Sequence, residues 1–275
     1  TATSSTHMNE GMRQRSTPQA KAVVDLLAKG DIKGGVEKLD AQGGVKEKSK
    51  EASINDISSA LAKDRGYKDT IGLASSKKAV KEINSATREK IFGKADFGKE
   101  ASVKVDKNLG LIEKMNASSY DKGDKVSIEK GGRFSEYGVK DIDKEKGKLT
   151  LSSDKKTFTV DLKKEAQKIK AVASIEKRSF VVGDKVMNLK NDKNLGTVDG
   201  KVKGTMNGEV GYVTGINKGK MTVDFDGKQA VFDLKKENSI DHAYAMTVHK
   251  SQGVTSKGAL VFLDTKNRGM NNSNA

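Results

Sequence analysis

Residues 211–236 read GYVTGINKGKMTVDFDGKQAVFDLKK, and residues 137–164 read YGVKDIDKEKGKLTLSSDKKTFTVDLKK. Each stretch contains a strand-like segment, a Lys-Gly-Lys turn, two further strands and a closing Asp-Leu-Lys-Lys. The same entry sequence, Gly-Asp-Lys-Val, precedes both, at residues 123–126 and 183–186. Short alternating strands joined by tight turns predict two small Src-homology-3-like barrels in tandem. The alternative is a longer meander sheet that repeats only its turn chemistry.

The segments on either side of this repeat have an α/β pattern. Residues 8–40 have helical spacing, with Pro18 at a predicted first helical position after Thr17 and a second short helix at 32–39. Residues 41–52 resemble a solvated linker, and Ile54, Ile57 and Leu61 mark one face of the next helix. The remaining predictions are a strand at 70–75, a helix over Lys77–Phe92, a strand-like stretch at 242–248 and a buried strand at 258–264. The repeats therefore interrupt an α/β core.

The composition favours a polyanionic partner. The chain of 275 residues has 52 Lys and Arg against 37 Asp and Glu, which gives a net charge of +15. Such a charge indicates nucleic acid or a membrane surface, but no apolar run is long enough to cross a membrane. Cysteine is absent and the three histidines have no ligand spacing, so we expect no metal site. Because the chain begins at Thr1, we expect a piece of a longer protein, without a signal peptide.

One motif indicates a specific chemistry. Residues 243–253 read AYAMTVHKSQG and lie between a predicted strand and a predicted helix start. Hydroxyls and backbone N–H groups at a helix start stabilise an anion, and here the hydroxyls belong to Thr247 and Ser251. Lys250 adds a positive charge for phosphate, Gln252 can hydrogen-bond a phosphate oxygen, and Gly253 permits close backbone approach. The motif therefore predicts a phosphate-binding loop.

This motif closely resembles motif V of superfamily 1 DNA helicases of the RecD-like branch. In that family the loop touches the phosphates of single-stranded DNA and links them to the bound nucleotide. The resemblance implies that Thr247, His249, Lys250 and Ser251 contact DNA. It also implies that Gln252 and Gly253 act on the nucleotide side.

Other segments resemble the TraI/TrwC-type conjugative relaxase-helicases. Residues 8–32 are similar to the motif IV region, where Arg13 and Gln14 would reach the nucleotide. Residues 70–91 are similar to the next block, in which Ser75 would contact DNA and Asn84 and Arg88 occupy family positions. Without the resemblance, Asn84 and Arg88 would be interpreted as a solvated helix face.

The resemblance implies a fold that is α/β plus β: a partial RecA-like second motor lobe, called 2A, with inserted barrels, called 2B. We expect the first part of the lobe at 1–110, one barrel at 111–175, a second barrel at 176–238 and the return to the lobe, with motif V, at 239–275. The segment 180–236 resembles the family's inserted barrel, with an Asn207-Gly208 hairpin turn.

Several helicase motifs are missing from the sequence. The sequence contains no G-x-x-x-x-G-K-[ST] phosphate loop and no Walker B acidic pair, and it stops at residue 275, where the resemblance implies that the motif VI arginine segment would begin. We therefore expect no ATP hydrolysis by this chain alone and no cofactor within it, whereas ATP and Mg²⁺ would serve the full-length parent.

The expected partners are single-stranded DNA, the remainder of the relaxase-helicase chain and the coupling protein of a type IV secretion system. The expected location is the bacterial cytoplasm, with export to the recipient cell during conjugation. The alternative function is a protein-interaction module or a vestigial helicase scaffold without DNA contact. Aromatic side chains that could stack on bases are few, and the candidates are Phe134, Tyr137, Tyr212 and Phe225, of which Phe225 alternates like a core residue.

Overall fold

The computed structural model describes residues 31–63, 70–93, 97–192, 195–196, 204–251, 256 and 258–263, together with Ala22 and Leu26. The chain divides into two units, residues 1–53 and residues 54–275. Thr17 and Pro18 lie outside the described residues, so the predicted helix cap there stays a prediction. In the described parts of the chain, no helix has the length and apolar character to span a membrane.

The first unit contains one complete described helix, α1, at Ile32–Ala41. Asp31 caps its start, because the carboxylate accepts a hydrogen bond of 2.9 Å from the backbone N–H of Gly34. The prediction of a short helix at 32–39 is thus confirmed. Helix α2, Lys50–Lys63, begins within the predicted linker and carries Ile54, Ile57 and Leu61 on its apolar face.

The second unit contains a three-stranded parallel sheet with β1, Thr70–Ala74, at its centre. Its neighbours are β14, Ala245–Thr247, and β15, Gly258–Phe262. Helix α3, Lys77–Phe92, lies against β1 and β14 and has the predicted bounds. The core beneath it contains Leu61, Ala74, Ala79, Ile83, Tyr244, Ala245 and Phe262.

Gly72 allows β1 and β14 to approach each other closely. It is paired with Ala245, and a Cβ atom at position 72 would lie 2.8 Å from the Cβ of Ala245. Carbon atoms do not pack at that separation, so only glycine fits here without a shift of β14.

Two sequence predictions for this sheet are wrong in detail. The strand at 258–264 is not buried but forms an edge, and Val261 and Leu263 are exposed because β15 has β1 as its one strand neighbour among the described residues. The stretch 242–248 is not one strand. The chain leaves β13, Ile240–His242, which belongs to a different sheet, and enters β14 after Ala243 and Tyr244.

The chain between α3 and β14 forms two larger sheets. The seven-stranded sheet has the order β12-β2-β7-β3-β4-β5-β6. Its strands are β2 (Lys99–Asp106), β3 (Lys125–Lys130), β4 (Arg133–Asp143), β5 (Lys148–Ser153), β6 (Lys156–Asp161), β7 (Ile169–Phe180) and β12 (Glu237–Asn238). The five-stranded sheet has the order β11-β10-β9-β8-β13. Its other strands are β8 (Lys185–Asn188), β9 (Val210–Asn217), β10 (Lys220–Phe225) and β11 (Lys228–Asp233).

Three single-turn helices complete the described elements: α4 at Leu111–Lys114, α5 at Leu162–Glu165 and α6 at Val248–Ser251. Short 3₁₀ turns occupy Ala117–Ser119 and Ala166–Lys168.

The sequence repeat corresponds to a structural repeat. In the first copy the strand order is β7-β3-β4-β5-β6, and in the second it is β13-β8-β9-β10-β11, so each copy is a four-stranded meander with its last strand added beside the first. The entry glycines have equivalent conformations, with φ of 91° at Gly123 and 94° at Gly183. Their N–H groups also donate to equivalent carbonyls, those of Val139 and Val213.

The prediction of two closed barrels is not upheld by these pairings. Among the described residues the end strands of each copy, β6 with β7 and β11 with β13, are not hydrogen-bonded to each other. In the first copy β7 is twelve residues long and its residues 173–180 pair with β2, which extends the sheet. In the second copy β13 has three residues before the chain departs for β14. The meander alternative describes β3 to β6 more closely.

Each copy nevertheless has its own apolar core. The first is built around Val126, Val139, Leu149, Leu151 and Val172. The second is built around Val186, Val213, Met221, Val223 and Phe232, and Ala101 and Val103 of β2 pack into it. The seven-stranded sheet therefore packs against the five-stranded one through β2.

Candidate nucleic-acid interface

Two polar turns meet at the carboxyl edge of the parallel sheet. Ala74, the last residue of β1, is the register partner of Thr247, the last residue of β14. Because the strands are parallel, the turn at Ser75-Ser76 and the helical turn α6 leave the sheet on the same side. In parallel α/β sheets ligands bind at this edge, and we call Ser75, Lys77, Thr247, Lys250 and Ser251 the edge cluster.

The β1 side of the edge cluster lies at the start of the sixteen-residue helix α3. Ser76 caps this helix, since its hydroxyl accepts a bond of 3.2 Å from the N–H of Ala79. Ser75 is half-buried and immediately precedes the cap. The unpaired N–H groups of the first turn give this end of α3 a partial positive charge that favours an anion.

The hydroxyls of Thr247 and Ser251, on the β14 side, differ in how their protons are used. Thr247 Oγ1 accepts from the backbone N–H of Lys250 at 3.4 Å, and its own proton is not used in that bond. Ser251 Oγ instead donates to the carbonyl of Val248 at 2.7 Å. A hydroxyl has one proton to donate, so Thr247 is the better phosphate donor of the two.

Lys77 is a member of the edge cluster that the sequence motifs did not identify. Its ammonium group donates to the backbone carbonyl of Asp106. Partial burial lowers the pKa of Lys77, and repulsion from Lys250 lowers it further, while Asp106, Glu176 and Glu113 oppose the change. The two lysines, which follow different strands, therefore lie near enough for their charges to repel each other. A lysine directly after the polar turn that ends β1 was the available signal.

Five predicted site residues are not placed by the structure. Arg13, Gln14, Gln252 and Gly253 lie outside the described residues, and the side chain of His249 does as well. Their predicted contacts with nucleotide and DNA stay predictions.

A buried polar network lies beneath the edge cluster. The Asn84 side chain accepts from the N–H of Ala245 at 2.7 Å and donates to its carbonyl at 3.2 Å, which fixes β14 against α3. Asn84 is 7% exposed and Arg88 is 2% exposed. The interpretation of these two residues as a solvated helix face is therefore wrong, because that face of α3 is covered by β14 and by the second repeat.

The centre of this network is Asp184, from the Gly-Asp entry of the second repeat. Its carboxylate accepts from Arg88, from the hydroxyl of Tyr244 at 3.0 Å and from the N–H of Val181 at 2.8 Å. The Tyr244 hydroxyl in turn accepts from the N–H of Lys185 at 3.2 Å. These bonds connect the inserted repeat to the residue that precedes β14.

The equivalent aspartate of the first repeat has the same local geometry. Asp124 accepts from the N–H of Asp121 at 2.8 Å, as Asp184 does from Val181, and its cationic partner is Lys107 at 2.6 Å. Burial works against the charge of Lys107, but hydrogen bonds to Asp121 and Asp124 outweigh it and raise the pKa of Lys107. The repeated Gly-Asp dipeptide was thus the sequence signal for both buried carboxylates.

The four candidate stacking residues differ in how far their rings are exposed to solvent. Phe225 is buried, as predicted, and Tyr137 packs on the first core with its ring 4.9 Å from that of Phe158. Tyr212 is half-buried. Phe134 is 66% exposed, so it is the member of this set with a ring face open to solvent.

Comparison with known proteins gives limited similarities. No protein-family profile matches the chain. Over 80 residues, 28% of the chain, it is 36% identical to the conjugal transfer protein TraA of Rhizobium radiobacter. The matched region is 7% of that protein's length.

Among solved structures, the crystal structure of Bacteroides Pif1 bound to ssDNA aligns with 90% of this chain and 43% of that chain. The TM-score is 0.41 and the identity is 17%. A TM-score of this size does not establish a common fold. The chain thus spans less than half the length of either protein.

Proposed function

We propose that this chain is a DNA-binding part of a conjugative relaxase or DNA helicase and that it holds single-stranded DNA by its phosphates at the edge cluster. The observation that carries the proposal is the Ala74–Thr247 register, which brings two polar turns and the cations Lys77 and Lys250 to one edge of a parallel sheet. A phosphate placed there would relieve the repulsion between the two lysines and would accept a hydrogen bond from the hydroxyl of Thr247.

Two further facts support a nucleic-acid partner. The net charge of +15 favours a polyanion and predicts affinity that falls steeply with salt. The similarity to a conjugal transfer protein supports a role in DNA transfer between bacteria.

The finer assignment follows the TraI/TrwC-type resemblance. We propose that the parallel sheet with α3 belongs to a RecA-like 2A lobe and that the two repeats are its 2B insertion, with the boundaries 1–110, 111–175, 176–238 and 239–275. The pairing of β1 with strands that follow the repeats supports an insertion. The shared strand order supports two copies of one small β unit, although neither is closed by hydrogen bonds among the described residues.

In this proposal ATP and Mg²⁺ bind mainly to the remainder of a longer relaxase-helicase. Arg13, Gln14, Gln252 and Gly253 would contribute from this side, and the chain alone would not hydrolyse ATP. We place the protein in the bacterial cytoplasm, with export during conjugation.

The test is the affinity of the whole chain for a labelled oligothymidylate, measured by fluorescence anisotropy over a range of salt concentrations. Lys77→Ala and Lys250→Ala should each lower the affinity and reduce the slope of log K against log salt by about one. Lys220→Ala, an exposed lysine on β10, is the charge-matched control and should have a much smaller effect. Thr247→Val should weaken binding more than Ser251→Ala. Unchanged binding by both edge lysine variants would remove the edge cluster from the DNA site.

A second candidate function is a protein-interaction module read by a type IV secretion coupling protein. The observation that favours it is the group Leu111, Ile112 and Met115, three apolar side chains exposed at and beside the single turn α4. Exposed apolar groups of this kind mark interaction sites. Ile112→Ser should then abolish capture of the chain by the purified coupling protein while leaving oligothymidylate affinity unchanged.

A further inference from the structure

The hairpin between β3 and β4 presents an aromatic ring at a tight two-residue turn. Lys130 is paired with Arg133, and the two residues between them, Gly131 and Gly132, have φ of 59° and 73°. Two-residue turns with positive φ at both positions match the twist of the strands and close hairpins tightly. Phe134 follows directly in β4, so its backbone is held by the strand ladder.

The ring of Phe134 has no apolar surroundings to bury it. Residues 131–136 are all exposed, and none of its sequence neighbours at the tip, Gly132, Arg133, Ser135 and Glu136, carries an apolar side chain. Burying a phenylalanine normally contributes to stability, and the exposed ring of Phe134 is available for a ligand.

The charges around the tip favour an anionic ligand. Glu129, which lies opposite Phe134, is neutralised by Lys170 at 2.7 Å, and Glu136 is neutralised by Lys104. Arg133 makes no ion pair within the described part of the chain. Among the residues that the structure describes, the tip therefore carries a guanidinium without an anionic partner, next in sequence to an open ring, while Glu129 and Glu136 have cationic partners.

We propose that this tip is a second contact for single-stranded DNA, in which Phe134 stacks on an unpaired base and Arg133 binds an adjacent phosphate. Adjacent strand residues project to opposite faces, but Arg133 and Phe134 are the first residues of β4 after the turn. A nucleotide strand that crosses the tip can therefore meet the ring with a base and the guanidinium with a neighbouring phosphate. An unpaired base has an accessible face for stacking, and such stacking does not depend on which base is present. A protein partner would be expected to meet a larger apolar area than one ring among polar neighbours.

This inference rests on the proposed function, and the experiment separates the two. Because the chain contains no tryptophan, Phe134→Trp introduces a single fluorescent reporter at the tip. Titration of the full chain with oligothymidylate should quench that tryptophan while affinity is retained. Met206→Trp, at an exposed apolar side chain in the second repeat, should not be quenched.

The affinity measurements use the same oligonucleotide. Phe134→Ala should lower affinity about tenfold, as expected for the loss of one stacked base, whereas Met206→Ala should not. On an abasic strand the difference between wild type and Phe134→Ala should disappear, while the effect of Arg133→Ala should persist and decrease with salt.

The inference is overturned if the wild type binds DNA while Phe134→Ala binds equally well and Phe134→Trp is not quenched. Loss of coupling-protein capture in Phe134→Ala with unchanged DNA affinity would also overturn it, in favour of a protein contact. Failure of the wild type to bind DNA contradicts the proposed function itself. If the Phe134 variants behave as expected while Lys77→Ala and Lys250→Ala leave DNA affinity unchanged, only the assignment of the edge cluster to the DNA site is contradicted.

Discussion

The guanidinium of Arg88 donates to both carboxylate oxygens of Asp184, at 2.8 Å and 3.0 Å, although 96 residues separate the two along the chain. Neither side chain is open to solvent, since their exposed fractions are 2% and 0%. The pair joins helix α3 to the entry of the second repeat, so the position of the repeat relative to the parallel sheet depends on it.

Removing one member of this pair should be strongly destabilising. Arg88→Met leaves the carboxylate of Asp184 buried without its cation, so we expect a loss of about 3–5 kcal/mol in the free energy of unfolding. Urea denaturation of the whole chain measures this. Lys177→Met breaks the exposed pair between Lys177 and Glu100 and is the control, with an expected change of at most about 1 kcal/mol. Equal losses in the two variants would contradict the structural role of the buried pair.

The two repeats should differ in their sensitivity to loss of the entry aspartate. Asp184→Asn and Asp124→Asn remove equivalent charges, but the partner Lys107 is 17% exposed whereas Arg88 is 2% exposed. Lys107 can therefore recover hydration, and we expect Asp124→Asn to cost about 1–2 kcal/mol and Asp184→Asn about 3–5 kcal/mol. Thermal and urea denaturation of both variants provide the comparison, and a larger effect at position 124 would show that solvent access does not set the order.

Asn84 should control the opening of β14. Asn84→Ala leaves the N–H and the carbonyl of Ala245 without their side-chain partner, at an expected cost of about 1–3 kcal/mol. Hydrogen exchange in a peptide spanning residues 243–247 should accelerate, and oligothymidylate affinity should fall because α6 follows β14 directly. The control is Asn55→Ala, since Asn55 is exposed and its side chain accepts from Lys90 on the surface. Unaltered exchange in Asn84→Ala would mean that β14 is held by its backbone pairing alone.

The stability of the fold should decrease as the pH falls below about 6.5. Burial lowers the pKa of His242, with repulsion from Arg88 and Arg178 adding to it and Asp184 and Asp241 opposing it. The unfolded chain therefore takes up a proton before the folded chain does, so this contribution is complete above the unfolded pKa and is lost below it.

The measurement is the free energy of unfolding between about pH 7.5 and pH 5.5, a window above the usual titration of carboxylates. In His242→Gln the decline should be smaller, because glutamine does not titrate and can still donate to the carbonyl of Ser179, which His242 contacts at 3.1 Å. Identical pH profiles would rule out His242 as the source of the decline.

Local sequence patterns predicted the elements well. Helix α3 has the predicted bounds because Val80, Ile83 and Ile91 mark its apolar face and Gly93, with φ of 81°, ends it in a left-handed conformation. The alternation in β10 likewise predicted Phe225 as a core residue, and Met221 and Val223 of the same strand lie in that core as well.

Long-range pairings could not be predicted in the same way. The extension of the first repeat depends on β2 pairing with β7, for example Ala101 with Arg178, and no local pattern specifies that partner. The burial of Asn84 has the same origin, because its hydrogen-bonding partner Ala245 lies 161 residues away. For the candidate site, the sequence placed Thr247 and Lys250 beside a strand end, but Lys77 could be added only once β1 and β14 were seen to be neighbours.

The central position of β1 has a consequence for biosynthesis. Both of its strand neighbours follow the repeats, so a chain emerging from the ribosome carries β1 and helix α3 long before residues 245–262 exist. Ile71 and Leu73 of β1 would then lack their neighbouring strands β14 and β15 while the two β units fold. The pairings within those units are mostly between successive strands, which favours fast folding. The loop that is proposed to hold DNA is therefore completed only after the two β units that lie between β1 and β14 in the sequence have been synthesised.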